Sequence, residues 1–248
     1  MQSVVLKRIR TNSSELRILR LLQSCPSQDS SHIIPLLEVV EGPPEASTIV
    51  MPYYTPIIEL SQGRAEELAL QLISGVGWLH KQLITHCDIK ERNLVVDEKQ
   101  NRLFIIDFGL AVKLTSREQK VQGARGTAGH VAPEVGIESP WENYTDEVFL
   151  GEDSIYSPIL ADVWAVGDVI SNFHKRFGSA TKGIGTVVEK VAKELRVDDP
   201  TKRLSLHDAE WRIAAACSTV TTVPRPPDTS TWTHGTHPLV STVVALQA

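Results

Sequence analysis

Apolar and polar residues from Ser3 to Ile9 follow the pattern of a β-strand, with β-branched side chains at Val4, Val5 and Ile9. Asn12-Ser13-Ser14 then offers N-cap chemistry to a helix carrying Leu16, Leu19 and Leu22 at helical spacing. Ile33 to Val40 and Ser47 to Tyr53 read as two further strands, separated by the turn-rich Glu41-Gly42-Pro43-Pro44. A small sheet with one helix is the natural assembly of this part. Glu66 to Lys81 is amphipathic at Leu68, Leu72, Ile73, Val76 and Leu79, and the short strands Leu94 to Val96 and Leu103 to Ile106 follow around a polar turn. Beyond them the pattern is mainly helical. Helices are expected over Leu160 to His174, over Gly185 to Val197 and in Lys202 to Cys217, where Leu204, Ala209, Trp211 and Ile213 should end the packed region. After Val220, 13 of the last 28 residues are Thr, Ser or Pro, so 221–248 reads as a flexible tail in which Leu239 to Leu246 is apolar enough for weak docking.

Composition narrows the class. The chain has 248 residues, 42% hydrophobic and 22% charged, enough for one large domain or two small lobes sharing a core. Disorder as the main state is excluded. Lys plus Arg is 25 against 30 for Asp plus Glu, a net charge of -5 that is weak and of the wrong sign for a nucleic-acid partner. Cys25, Cys87 and Cys217 are widely spaced with no CxxC pair, which argues against a disulfide framework or a cysteine-rich zinc site. Met1 to Arg10 mixes apolar and basic residues, and no run approaches the ~18 apolar residues of a membrane span. The expectation is a monomer in an intracellular compartment, cytoplasmic or nuclear, without membrane association.

The residues that carry chemistry are His86-Cys87-Asp88-Ile89-Lys90-Glu91-Arg92-Asn93 and, 14 residues after Asn93, Asp107-Phe108-Gly109. Four fixed residue types at set spacing should recur by chance in well under ~1 in 10⁵ windows. The stretch resembles the catalytic loop and metal-binding turn of the eukaryotic protein kinases, serine/threonine type. Gly126-Thr127, Ala132-Pro133-Glu134, Asp162-Val163-Trp164 and Asp199-Pro200-Thr201-Lys202-Arg203 match further landmarks in the family's order, so the resemblance runs from about Val4 to Ala216. The compact spacing is similar to that of divergent fungal members. What the resemblance implies is an α+β, two-lobed kinase-like fold with a truncated N-terminal sheet lobe and a mainly helical C-terminal lobe. The domain would cover 1–220, with 1–54 as partial N-lobe and hinge, 55–220 as C-lobe, and 221–248 as the tail.

By the same resemblance, the cofactors are ATP and Mg²⁺ and the partner is a protein substrate. Asp88 would accept or orient the hydroxyl proton, and Lys90, on the same side of an extended loop, would steady the γ-phosphate. Asn93, counted with them as catalytic, and Asp107 offer the hard oxygen ligands that Mg²⁺ prefers. Lys7 stands where the family's strand lysine holds the α- and β-phosphates, with Glu15 as its expected helix partner. Met51-Pro52-Tyr53-Tyr54 falls at the inter-lobe hinge. Met51, Tyr53 and Val95 would contact the nucleotide there, with a backbone donor around Tyr53 or Tyr54 because Pro52 has no N–H. Leu19, His86 and Phe108 match positions stacked between the lobes, and Glu134 and Arg203 match a buried ion pair.

The sequence departs from the family in three places. The chain begins six residues before Lys7, so the glycine-rich phosphate loop is absent from it. The two Gly-x-Gly fragments, Gly75-Val76-Gly77 and Gly183-Ile184-Gly185, read as packing or capping glycines. Weak ATP binding and an open sheet edge at Val4 to Lys7 are then expected. Cys87 replaces the arginine that binds an activation-loop phosphate, which argues against activation through Thr115 or Ser116. The short interval between the helices ending near Lys175 and starting near Gly183 leaves no room for the usual docking helix. Residues 135–161 carry a charge of -6, consistent either with a preference for basic peptides or with a solvated insertion. Three functions compete: an active kinase; a pseudokinase scaffold on the same fold, weak or inactive in catalysis; and a small-molecule phosphotransferase, against which Lys90, Ala132-Pro133-Glu134 and Asp162-Val163-Trp164 argue.

Overall fold

The computed structural model of the chain describes residues 3–25, 32–43, 45–60, 65–136, 154–178, 183–218 and 243–245. In chain order, β1 (Val4–Arg10), α1 (Ser14–Gln23), β2 (Glu38–Glu41) and β3 (Ala46–Pro52) form the smaller layer. β3 pairs antiparallel with β1 on one side, Val4 opposite Pro52 and Arg10 opposite Ala46, and with β2 on the other. Ser13 caps α1 by accepting the Leu16 N–H at 3.3 Å. The helix then buries Leu16, Ile18, Leu19 and Leu22 at intervals that make one face.

The larger layer follows from β4 (Thr55–Pro56). It contains α2 (Ala65–Lys81), β5 (Ile84–Thr85), β6 (Leu94–Asp97), β7 (Arg102–Ile105), β8 (Val112–Lys113), β9 (Val121–Gln122), β10 (Ile155–Tyr156), α3 (Pro158–Phe177), α4 (Ile184–Leu195) and α5 (Leu206–Ser218). β6 and β7 make the hairpin expected from their polar turn, and β4 extends it. β5 pairs with β8 and β9 with β10, so short ladders pin the segment after Gly109 at two points. α2 lies among α3, α4 and α5. Gly167 on α3 sits so close to α4 that a Cβ there would meet the Leu195 Cβ at 2.7 Å and the Ala192 carbonyl at 2.9 Å, which reserves the position for glycine. One apolar cluster, from Leu16 and Leu19 through Leu72 and Phe108 to Phe173 and Val188, runs through both layers. This is the expected two-lobed α+β arrangement, and Phe177 and Ile184 leave only a short interval between α3 and α4.

Four local expectations are corrected. The strand predicted over Ile33 to Val40 forms only at Glu38–Glu41. Pro35 has no N–H to continue a ladder; before it the Ile34 N–H goes to the Ile105 carbonyl at 3.1 Å, and only from Leu37, whose N–H reaches the Val50 carbonyl at 2.8 Å, does the chain join β3. Trp211, expected in the packed region, is 67% exposed, because α5 buries Leu206, Ala209 and Ile213 and position 211 falls on the opposite face. The β1 edge away from β3 is not open: β11 (Val243–Ala245) pairs with it in parallel, Val4 opposite Val243 and Leu6 opposite Ala245. At those three residues the expected flexible tail is a strand. The rest of the tail and the six acidic residues of 135–161 lie outside the described residues.

Candidate active site

Between the layers opens a cleft of about 430 Å³, within the size range of small-molecule sites. β1 sends two alternate side chains, Val5 and Lys7, toward it, while Val95 of β6 and Met51 at the end of β3 border it from the other walls. Lys7 Nζ donates to Glu15 Oε1 and to Asp107 Oδ1, both at 2.9 Å. The eight-residue separation of Lys7 and Glu15 is therefore compatible with contact, since Glu15 opens α1 and is buried. Burial would lower the Lys7 pKa, but the charge of Glu15 and the bonds to Asp107 and Glu15 outweigh it and hold it above the ordinary lysine value. For Asp107 burial acts upward, and is outweighed by the Lys7 bond and charge, so its carboxyl stays below the ordinary range. Asp107 has a left-handed backbone, φ 64°, uncommon outside glycine.

The catalytic-type loop is hung from Asp162 at the start of α3. Its carboxylate, 1% exposed, accepts the backbone N–H groups of His86 at 2.8 Å and Cys87 at 2.9 Å and also contacts His80 Nε2 at 3.0 Å. Cys87 turns the chain through a second left-handed residue, φ 62°. Asp88 then emerges into a dense set of donors. Its Oδ2 accepts Lys90 Nζ at 2.8 Å and Asn93 Nδ2 at 2.9 Å, and its Oδ1 accepts the Thr127 hydroxyl at 2.8 Å. Lys90 also donates to the Thr127 hydroxyl. With Asn93 Nδ2 committed to Asp88, including its carbonyl at 2.8 Å, the Asn93 Oδ1 is left as an acceptor. His86 anchors the loop from below, Nε2 against the Ile106 carbonyl at 3.0 Å and the ring edge against Phe108, centroids 5.0 Å apart. Leu19, His86 and Phe108 are all buried.

The hinge expectation divides. Tyr53 borders the cleft, but its N–H is engaged by the Ser3 carbonyl at 2.9 Å, so it is not the donor left for a ligand. Tyr54 instead stacks flat on Phe104 with centroids 4.8 Å apart, which fixes the backbone there. The Glu134–Arg203 pair forms as a fork, Nη1 to Oε1 at 2.6 Å and Nη2 to Oε2 at 2.7 Å. The Arg203 side chain is fully enclosed and also bonds the carbonyls of Val197, Leu160 and Asp198. All of Lys7, Glu15, Met51, Tyr53, Asn93, Val95 and Asp107 thus line one cleft, and Asp88 and Lys90 stand beside Asn93 at its floor. Sequence reasoning missed what Asp162 holds and that Thr127 bonds Asp88. In the sequence Asp162 stands as a family landmark and Thr127 as a mark of the serine/threonine type, and neither reading points to these bonds.

A family model described as the protein kinase domain matches residues 2–176. The chain belongs to the protein kinase family. It is 30% identical over 160 residues to rhodopsin kinase GRK1 of Rattus norvegicus, covering 58% of this chain and 27% of that protein. It is 26% identical over 207 residues to serine/threonine protein kinase OSK3 of Oryza sativa subsp. indica, covering 78% of this chain and 39% of that protein. Serine/threonine protein kinase OSK4 of the same rice matches to the same extent. The kinase chain spans between about a quarter and two fifths of the length of these curated relatives.

Cys87, which stands where the family carries an arginine, is a buried thiol. Burial, with the charge of Asp162 adding to it, pushes its pKa up to about 12, and burial together with the Cys87 charge does the same to the Tyr156 phenol. Both groups hold their proton more tightly folded than unfolded. Their stabilising contribution is therefore complete below the unfolded values, ~8.5 and ~10, and is lost as pH rises toward the folded ones. Iodoacetamide at pH 8 should label Cys25 and leave Cys87 unmodified until denaturant is added. Equal labelling of the two in the native chain would contradict this burial.

Proposed function

We propose that this kinase-family chain transfers the γ-phosphoryl group of ATP to serine or threonine hydroxyls of a protein substrate. The observation that carries the reading is the joining of Asp88, Lys90, Asn93 and Thr127 in one hydrogen-bonded group beside a cleft whose far wall holds Lys7 and Asp107. Asp88 is the group for the acceptor: as the bond between the γ-phosphorus and the β-phosphate oxygen breaks and a bond to the hydroxyl oxygen forms, the hydroxyl proton passes to its carboxylate. Lys90, fixed by Asp88 and Thr127, supplies positive charge next to the transferring group. Lys7 keeps its charge through Glu15 and Asp107 and is placed for the other phosphates.

The donor set fits Mg²⁺ bound together with phosphate. Among the described residues no cluster of three or more His, Cys, Asp or Glu could hold a metal ion, and Mg²⁺ uses one or two protein oxygens plus phosphate oxygens and water. Asn93 Oδ1 and the Asp107 carboxylate would hold it. When bound, it supplies neutralisation of phosphate charge. Asp107→Asn should then weaken nucleotide binding with Mg²⁺ much more than binding without it, read as the thermal shift produced by ATP in each condition. Equal losses would remove the metal role, and no ATP shift in the wild type would remove the reading as a whole. The small-molecule phosphotransferase is disfavoured by the Glu134–Arg203 fork and the Thr127 contact, which organise the segment on which an extended peptide would lie.

A further inference from the structure

We propose, resting on the kinase reading, that the substrate is an acidic peptide, with Asp or Glu close to its phosphoacceptor, recognised by Arg92 and Arg125. A substrate hydroxyl must reach the Asp88 carboxylate, and the two chain segments that meet there each carry an exposed arginine. Arg92 lies between Lys90 and Asn93, is exposed, and borders the cleft. Arg125 is exposed two residues before Thr127, whose hydroxyl binds Asp88. Neither guanidinium makes an ion pair or side-chain hydrogen bond among the described residues. By contrast Lys7, Lys90 and Arg203 are each matched to a carboxylate. Arg92 borders the cleft, while Arg125 borders a small cavity with Cys87, Ala132 and Tyr156 and would meet an incoming chain along the activation segment; an exposed planar guanidinium without an ion-pair partner suits a carboxylate on such a chain.

The surrounding charge has the same sign. From 108 to 126 the activation segment carries Lys113, Arg117, Lys120 and Arg125 against Glu118 alone. Glu91, next to Arg92 in the chain, is 4.0 Å from Arg176, and Glu59 borders the same cleft next to Ile58. At Arg92 and along 108–126 a lysine-rich peptide would meet mostly like charge, whereas an acidic one would meet complementary charge. The preference for basic peptides suggested by residues 135–161 rests on side chains outside the described residues.

Three labelled peptides of one length decide the matter, identical except for Glu, Gln or Lys at the positions flanking an Ala in place of the acceptor. Fluorescence anisotropy should give binding of the Glu peptide at least about fivefold tighter than that of the Lys peptide, as two partly exposed pairs allow, with the ratio falling as salt rises. The double variant Arg92→Glu with Arg125→Glu should reverse the ratio. If it fails to fold, Arg92→Gln with Arg125→Gln should bring the ratio close to one. Equal affinities, a tighter Lys peptide, no binding of any peptide, or a ratio unchanged in a folded variant would each overturn the proposal. Serine versions of the same peptides test the kinase reading separately: a binding preference without phosphate transfer defeats that reading alone, and transfer without preference defeats the acidic-substrate proposal alone.

Discussion

Asp88→Asn leaves the melting temperature of the chain within a few degrees of wild type and lowers phosphate transfer by about 10² to 10⁴-fold, the range lost with a positioned general base. The fold survives because the two side chains have nearly equal volume and the contacts can be kept. The amide oxygen can accept Lys90 and Asn93 as Oδ2 does, and the amide N–H can donate to the Thr127 hydroxyl once that hydroxyl turns its own proton away. Chemistry does not survive, since an amide neither takes the hydroxyl proton nor balances the Lys90 charge. The measurement is initial rate of transfer with melting of the same preparation, and wild-type turnover by a folded Asp88→Asn protein would contradict the assignment.

Arg203→Ala should be among the most damaging polar substitutions at the described residues. The side chain is fully enclosed, and its guanidinium satisfies both oxygens of Glu134 and three backbone carbonyls. Alanine leaves the Glu134 carboxylate and those carbonyls without their donor. Breaking a buried pair from one side costs about 3 to 5 kcal/mol. For a chain of this size that lowers the melting temperature by about 6 to 20 °C. The exposed Arg117 replaced in the same way is the control. Equal shifts for the two variants would show that the fork does not hold the segment after Thr127 to the helical layer.

Much of the site was legible because the residues that act together are close in sequence or in register. Asp88, Lys90 and Asn93 share one loop, and the family order placed Lys7 and Glu15 on a strand and the helix after it. What could not be read were partners far along the chain. Nothing local to Asp162 says that its carboxylate binds the N–H groups of residues 75 and 76 positions earlier. Nor does Ser3 announce that its carbonyl removes the Tyr53 donor from the hinge. Trp211 is a different kind of error, since apolar character was taken as burial although the spacing of Leu206, Ala209 and Ile213 already puts position 211 on the other face of α5. β11 falls within Leu239 to Leu246, the stretch apolar enough for weak docking, but three residues give no periodic signal and a parallel partner requires a long excursion of the chain, so β1 could not be read as its partner.

The most direct test of the central claim is transfer from γ-labelled ATP to a mixture of serine- and threonine-containing peptides, with the product located by mass spectrometry. Label is expected on serine or threonine, dependent on Mg²⁺ and lost in Asp88→Asn. Binding of Mg-ATP by the folded wild-type chain with no label on any peptide would contradict it.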